Sequence, residues 1–216
     1  MWTITIQKFI NDDVLPSDVI DYLQSYTMIV KERLVPQIGK DKEVGSGIYW
    51  KGLDMASMAS ICTDDENYKL FNVYTSKFMY DVITDYIPEP YLFNDQIVVK
   101  LPHEDMKFEP HYDNQYGPFP NDKELVTINC MLILDDYTDE NGAIKVFDER
   151  WITLYPKIGD ILLIEGNTLH SSENNNSDYS RRSYICVYTN KSIGKGFQQG
   201  FYHEQFIIRT NEMGFK

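Results

Sequence analysis

Four side chains in the second half of the chain have types and spacings suited to joint chemistry: His111, Asp113, His170 and Arg181. His111 and Asp113 flank Tyr112. Residues two apart on a strand share a face, so this imidazole and carboxylate can reach one metal ion while Tyr112 points away. His170 follows the apolar run Ile161-Leu162-Leu163-Ile164, which starts from the turn Pro156-Lys157-Ile158-Gly159-Asp160. Arg181 opens a further strand-like run that continues from Arg182 to Tyr188. Two imidazoles and one carboxylate on one face of a metal are the donor set of non-haem Fe(II) oxygenases, which leaves coordination positions open. An arginine fork grips a carboxylate with two parallel prongs. Together the four residues read as an iron centre with an anchor for 2-oxoglutarate. A His-x-Asp tripeptide alone is a frequent accident of composition. For Arg181 the alternative is a surface position at a strand end, paired with Asp178 or Glu173. The other two imidazoles, His103 in a turn-like Pro102-His103-Glu104-Asp105 and His203 near the C-terminus, read as structural or surface residues.

The elements that must position these residues divide the chain in two. Up to about residue 90 the pattern is mainly helical. Pro16-Ser17-Asp18 reads as a helix start with Ser17 as cap. Leu70, Phe71, Tyr74, Phe78, Val82 and Tyr86 recur at helical spacing and predict a long helix over 66–87, stopped by Pro88 and Pro90. From Gln96 onward, short β-branched and aromatic runs alternate with turn signals. Strands are expected at 96–101, 108–113, 125–134, 143–147, 152–155, 160–165, 182–190 and 205–209. Asp139-Glu140-Asn141-Gly142 reads as a hairpin turn whose acids are solvated. Gly45-Ser46-Gly47-Ile48-Tyr49-Trp50-Lys51-Gly52 reads as a loop, because it lacks the Gly-Lys-Ser/Thr ending of a phosphate loop. The expected fold is mostly β with flanking helices: a double-stranded β-helix, or cupin-like jelly roll, braced by N-terminal helices. We expect one domain over 1–216, with a helical part to about 90 and a β core over about 91–190.

Composition narrows the function. A net charge of −13 argues against nucleic-acid binding, since duplex binders present a basic face to displace counterions. No apolar run is long enough to span a bilayer, and the N-terminus lacks a signal-peptide pattern. Three cysteines, Cys62, Cys130 and Cys186, are an odd number that reads as reduced thiols of a cytoplasmic protein. In that compartment the sequon Asn175-Asn176-Ser177 never meets the glycosylation machinery.

The stretch Phe108-Glu109-Pro110-His111-Tyr112-Asp113 resembles the phytanoyl-CoA dioxygenase family. So do Leu134-Asp135-Asp136-Tyr137 running on to Asn141-Gly142-Ala143-Ile144-Lys145-Val146, Gly159-Asp160-Ile161-Leu162-Leu163, and the segment from His170 to Arg182. The resemblance covers roughly 96–190. It implies a double-stranded β-helix that uses Fe(II), 2-oxoglutarate and O2. It matches His111, Asp113 and His170 to the iron ligands and Arg181 to the anchor of the distal 2-oxoglutarate carboxylate. Ser172 matches a hydroxyl that assists the anchor. Where the family usually has Pro-Gly-Ser-His, this chain has Phe147-Asp148-Glu149-Arg150-Trp151. Asp113 fills the position that a small residue takes in related halogenases, so hydroxylation is the expected outcome.

These readings converge on a hydroxylase of a small organic molecule that releases succinate and CO2. Two alternatives are a peptidyl, prolyl-type hydroxylase and a non-catalytic β-helix binding module. The expected substrate is uncharged or cationic, because the acidic balance repels polyanions over about 8–10 Å, and the short loops are expected to exclude an acyl-CoA. Tyr49, Trp50 and Tyr116 are the candidate aromatics at the substrate entrance. The sequence does not fix the oligomeric state.

Overall fold

The structure is a computed structural model that describes residues 5–7, 20, 21, 23–25, 48–51, 77–103, 105, 107–115 and 123–191. Its strands, in chain order, are β1 (Thr5–Gln7), β2 (Ile48–Lys51), β3 (Tyr91–Lys100), β4 (Phe108–His111), β5 (Thr127–Ile133), β6 (Ile144–Asp148), β7 (Arg150–Leu154), β8 (Ile161–Glu165), β9 (His170–Ser172) and β10 (Arg181–Thr189). A helix, α1, spans Lys77–Thr84 between β2 and β3.

The strands form two antiparallel sheets. The larger has the order β1-β8-β5-β10-β3-β2 and the smaller the order β4-β9-β6-β7. Among the described strands from β3 to β10 the chain passes repeatedly between them, and the β6–β7 hairpin stays within the smaller one. Every pairing is antiparallel.

Strand alternation explains where the core lies. Met131 and Ile133 of β5 and Leu162 and Ile164 of β8 cluster with Ile144 and Val146 of β6 and Leu154 of β7. These side chains come from both sheets, so the cluster fills the space between them. β5 is buried at all of its positions, and a strand buried on both faces cannot show the polar/apolar alternation of a half-exposed one. Cys130 and Cys186 are buried thiols, free of disulfides, at directly paired positions of β5 and β10.

Several elements differ from the sequence reading. Tyr91–Lys100 starts earlier than the predicted strand, because Tyr91-Leu92-Phe93 prolong the β-favouring run. Ile48–Lys51, read as a loop, pairs with β3 as an edge strand, Tyr49 opposite Val98 and Trp50 opposite Ile97. Its Ile-Tyr-Trp run has strong β propensity, which outweighs the flanking glycines. β1 and β2 also qualify the helical reading of the N-terminal part. Of the predicted helix over 66–87, residues 77–84 are helical, and a turn follows at Asp85 and Tyr86 before Pro88. Leu23 and Met79 are fully buried. Residues 66–76, Ser17, Cys62, Tyr116, His203 and the predicted strand at 205–209 lie outside the described residues. No described helix is long and apolar enough to cross a membrane.

Candidate metal centre

The small sheet brings the two histidines together. His111 ends β4, His170 begins β9, and the two are directly paired across those strands. Their ring centroids are 4.3 Å apart. Asp113 is not on the strand, as the spacing argument has it, but opens a short 3-10 turn, Asp113–Gln115. Pro110 supplies no backbone donor and the β4–β9 register shifts between Phe108 and His111, so the ladder breaks before the carboxylate is reached. The turn still delivers it. Asp113 Oδ1 lies 3.5 Å from His111 Nε2 and Oδ2 lies 3.6 Å from His170 Nε2. One donor atom from each of the three residues falls within 4.8 Å of the others. Tyr112, between His111 and Asp113, is exposed.

Backbone carbonyls set the state of both imidazoles. His111 Nδ1 lies 2.6 Å from Glu109 O and His170 Nδ1 lies 2.9 Å from Thr168 O. A carbonyl only accepts, so each Nδ1 carries the proton and each neutral ring presents its Nε2 lone pair to the common point. Burial pulls the His111 imidazole down, but the Asp113 carboxylate and the Glu109 carbonyl outweigh it and its pKa is raised. His170 is more deeply enclosed, and burial leaves its pKa lowered. Burial works against ionised Asp113, yet the two histidines and Asn129 prevail and hold its pKa below the usual value. These shifts favour an ionised Asp113 and a neutral His170, while the proton that Asp113 favours on His111 would have to leave for a divalent cation to bind.

Next to it lie two buried basic side chains. Arg181, the first residue of β10, is 3% exposed and does not pair with Asp178 or Glu173. Asp178 instead meets exposed His103 at 2.8 Å. The Arg181 guanidinium lies 4.3 Å from the Tyr137 ring centre. Its Nη1 donates to Gly142 O at 3.1 Å, while Nε is buried without a partner among the described residues. Arg182 faces the other way, in a bidentate pair with Asp135 at 2.7 Å for each prong.

Directly across from Arg181 stands Lys100, fully buried at the end of β3. Like charges placed opposite each other on neighbouring strands are destabilising. Burial first, and then the Arg181 charge, lower the Lys100 pKa to about 6. Its Nζ donates to Ser172 Oγ at 2.7 Å and to the Glu173 carbonyl, and sits 5.2 Å from the Phe108 ring centre. The sequence reading missed Lys100. Its signal was a lysine closing the apolar run Ile97-Val98-Val99, in a strand expected to sit in the core.

Two turns shape this pocket. Gly142 has φ +74, and a Cβ there would meet Glu173 O at 2.1 Å. Only glycine combines that conformation with so close an approach, and its carbonyl is the one Arg181 uses. Asn141 braces the turn by accepting from Thr138 N at 2.8 Å and donating to Asp136 O at 2.7 Å, while Asp139 and Glu140 are exposed. After β9, the buried Asn175 amide donates to Lys100 O at 2.9 Å and to Tyr179 O at 2.6 Å. The sequon side chain is thus committed inside the fold.

No family model matches the sequence, and no curated protein matches it either. Among solved structures the fold is similar to that of the non-heme alpha-ketoglutarate-dependent epimerase SnoN from nogalamycin biosynthesis, with a TM-score of 0.62 at 16% identity over 82% of this chain and 74% of that one. The carbocyclase SnoK, from the same biosynthesis and of the same cofactor class, gives 0.62 at 14% over 86% and 78%. EvdO2 from Micromonospora carbonacea var. aurantiaca gives 0.61 at 13% over 90% and 96%. The chain therefore has the fold of non-heme alpha-ketoglutarate-dependent enzymes. SnoN has been solved with Fe3+, alpha ketoglutarate and nogalamycin RO.

Proposed function

We propose that this chain is an Fe(II)- and 2-oxoglutarate-dependent oxygenase that hydroxylates a small organic molecule and releases succinate and CO2. The observation that carries this reading is the adjacency of two groups of side chains: the three converging donors His111, Asp113 and His170, and the buried basic residues Lys100 and Arg181, directly opposed on β3 and β10, whose described hydrogen bonds go to a hydroxyl and to backbone carbonyls. His111 Nε2, His170 Nε2 and one oxygen of Asp113 would hold the iron. Ligands about 2.1 Å from a common ion and at right angles to one another lie about 3 Å apart, so the 3.5 and 3.6 Å separations close with small side-chain movements. Arg181 and Lys100, with Ser172, would take the distal carboxylate of 2-oxoglutarate, to which the orphaned Arg181 Nε can donate. Ser172 and His170 are two residues apart on one face of β9, about 6.6 Å, the length scale of a five-carbon dicarboxylate.

Iron and 2-oxoglutarate, when bound, would activate O2 for C–H attack, with O2 the oxidant and 2-oxoglutarate giving up two electrons as it becomes succinate and CO2. The chain's own part is to orient and to exclude water. The Glu109 and Thr168 carbonyls fix both Nδ1 positions as donors, and Arg181 and Lys100 would orient the cosubstrate by its far end.

The strand alternation supports reading the two sheets as a double-stranded β-helix, within a single domain of the phytanoyl-CoA dioxygenase-like kind. The small-molecule complex of SnoN and the charge of −13 favour a small substrate over nucleic acid. Tyr49, Trp50 and Tyr116 remain our candidates for the aromatics that meet it, and the paired free thiols Cys130 and Cys186 accord with a reducing, cytoplasmic setting. The test is succinate formation from 2-oxoglutarate by the purified chain with Fe(II), ascorbate and oxygen, with panels of small amines, amino acids and peptides as stimulants. No 2-oxoglutarate consumption under any of these conditions would sink the enzymatic reading.

A further inference from the structure

The inner face of β5 changes character along its length. Met131 and Ile133 join the apolar core, but Thr127 and Asn129, which share their face by alternation, are buried polar residues. Each reaches across to the segment that carries the carboxylate. Thr127 Oγ1 donates to Asn114 Oδ1 at 2.5 Å, and Asn129 Nδ2 donates to Asp113 Oδ2. A carboxylate only accepts, so the Asn129 amide must present its nitrogen. The Asn129 Oδ1 is left buried with no partner among the described residues. A buried polar atom without a partner is costly. A leucine would remove that cost together with the hydrogen bond to Asp113, so the amide here is tied to the carboxylate it holds.

We infer that Asn129 is a positioning residue that reaches from the facing sheet to hold Asp113 as a one-oxygen metal ligand, with its free Oδ1 turned to accept a hydrogen bond from a donor entering the site. This deepens the proposed function and rests on it. By occupying Oδ2, the amide keeps the carboxylate from rotating or chelating with both oxygens, and leaves Oδ1 on the His111 side. The neighbouring contacts fix the same segment. Asn114 N donates to Gly166 O at 3.1 Å, and Asn114 Nδ2 donates to Asn167 Oδ1 at 2.9 Å. A Cβ at Gly166 would meet Thr127 Oγ1 at 1.9 Å, so a glycine there is part of the same clasp. The turn bearing Asp113 is thereby tied both to β5 and to the loop that leads into His170.

The test is anaerobic Co(II) titration of the full chain, reading affinity and the visible d–d spectrum, for wild type, Asn129→Leu and Asn129→Ala, with His170→Ala as the no-site control. The first variant keeps the branching but adds bulk and the second leaves a hole, so a folding failure in one leaves the other to decide. Apo melting temperatures report any purely structural role. We expect wild type to bind one Co(II). Each folded Asn129 variant should bind it about tenfold more weakly, as for other outer-shell partners of metal ligands, with a changed d–d spectrum and no matching loss of apo stability. Wild-type affinity and an unchanged spectrum in a folded variant would overturn the role of Asn129 and leave the metal reading intact. A wild-type chain that binds no Co(II), like His170→Ala, would overturn both.

Discussion

The two halves of the site are prepared in opposite ways. At the metal cluster the protein satisfies its own outer groups: Glu109 O, Thr168 O and the Asn129 amide each hold one of the three donor residues. At the cation pocket it leaves the charges wanting. Lys100 and Arg181 are directly opposed and buried, and their described hydrogen bonds go to a hydroxyl and to backbone carbonyls. The first half is shaped to keep its form in the absence of a ligand. In the second, burial and the Arg181 charge push Lys100 toward its neutral form, and a bound anion would favour its charged form, so fold stability and ligand binding pull against each other there and not at the metal.

The sharpest break of that contrast is at the metal. His170→Ala should lower Fe(II) or Co(II) affinity by more than about 100-fold, beyond the range for outer-shell partners, and abolish 2-oxoglutarate turnover. Metal titration and succinate assay check this. Arg181→Ala should raise the Kd for 2-oxoglutarate by roughly 10- to 150-fold, the loss of a charge-assisted contact worth about 1.5–3 kcal/mol, with metal affinity retained. Unchanged cosubstrate affinity would remove Arg181 from the anchor.

Lys100 separates stability from binding most cleanly. Its pKa of about 6 in the folded chain lies below the ordinary 10.5, so between these values the unfolded chain binds more protons. This group therefore makes apo stability rise as pH increases from about 6 to 10.5, and its full cost is felt below pH 6. Lys100→Met should stabilise the apo protein at pH 6 by about 1 kcal/mol or more and flatten that rise, while weakening 2-oxoglutarate binding. A bound carboxylate favours the charged ammonium, so near neutral pH the wild type should take up a proton with 2-oxoglutarate. Calorimetry in buffers of different ionisation enthalpy measures the uptake, and Lys100→Met should lose it. The smallest effect is expected from Ser172→Ala, a two- to tenfold weaker cosubstrate for one neutral hydrogen bond of about 0.5–1.5 kcal/mol. A larger loss than in Arg181→Ala would reverse the roles assigned within the pocket.

The β core was legible where runs were long and bounded by turns. The strands over 125–134, 160–165 and 182–190 were anticipated to within two residues at each end, because apolar content and Pro/Gly punctuation agree there. His111, Asp113, His170 and Arg181 stood out in the sequence by residue type and spacing, and the structure brings the first three together and buries the fourth. Short-range geometry was not. β9 is three residues long, too short for any periodicity, and the strand-to-turn break at Asp113 depends on a register shift that only the β4–β9 pairing defines. Lys100 and Asn129 escaped for a related reason. Each sits in an apolar run, and its role appears only once β3 meets β10, or β5 meets the turn after β4. Ile48–Lys51 shows the reverse, a pairing with β3 that local glycines obscured.

The most direct test of the central claim is an anaerobic titration of the Fe(II)-loaded chain with 2-oxoglutarate, followed by visible absorption. A cosubstrate chelating the metal held by His111, Asp113 and His170 gives a metal-to-ligand charge-transfer band. The account predicts that this band saturates at one 2-oxoglutarate per chain, needs a higher concentration in Arg181→Ala and is absent in His170→Ala. A wild-type chain that shows no band with both iron and 2-oxoglutarate present, or a band indifferent to the loss of His170, would contradict it.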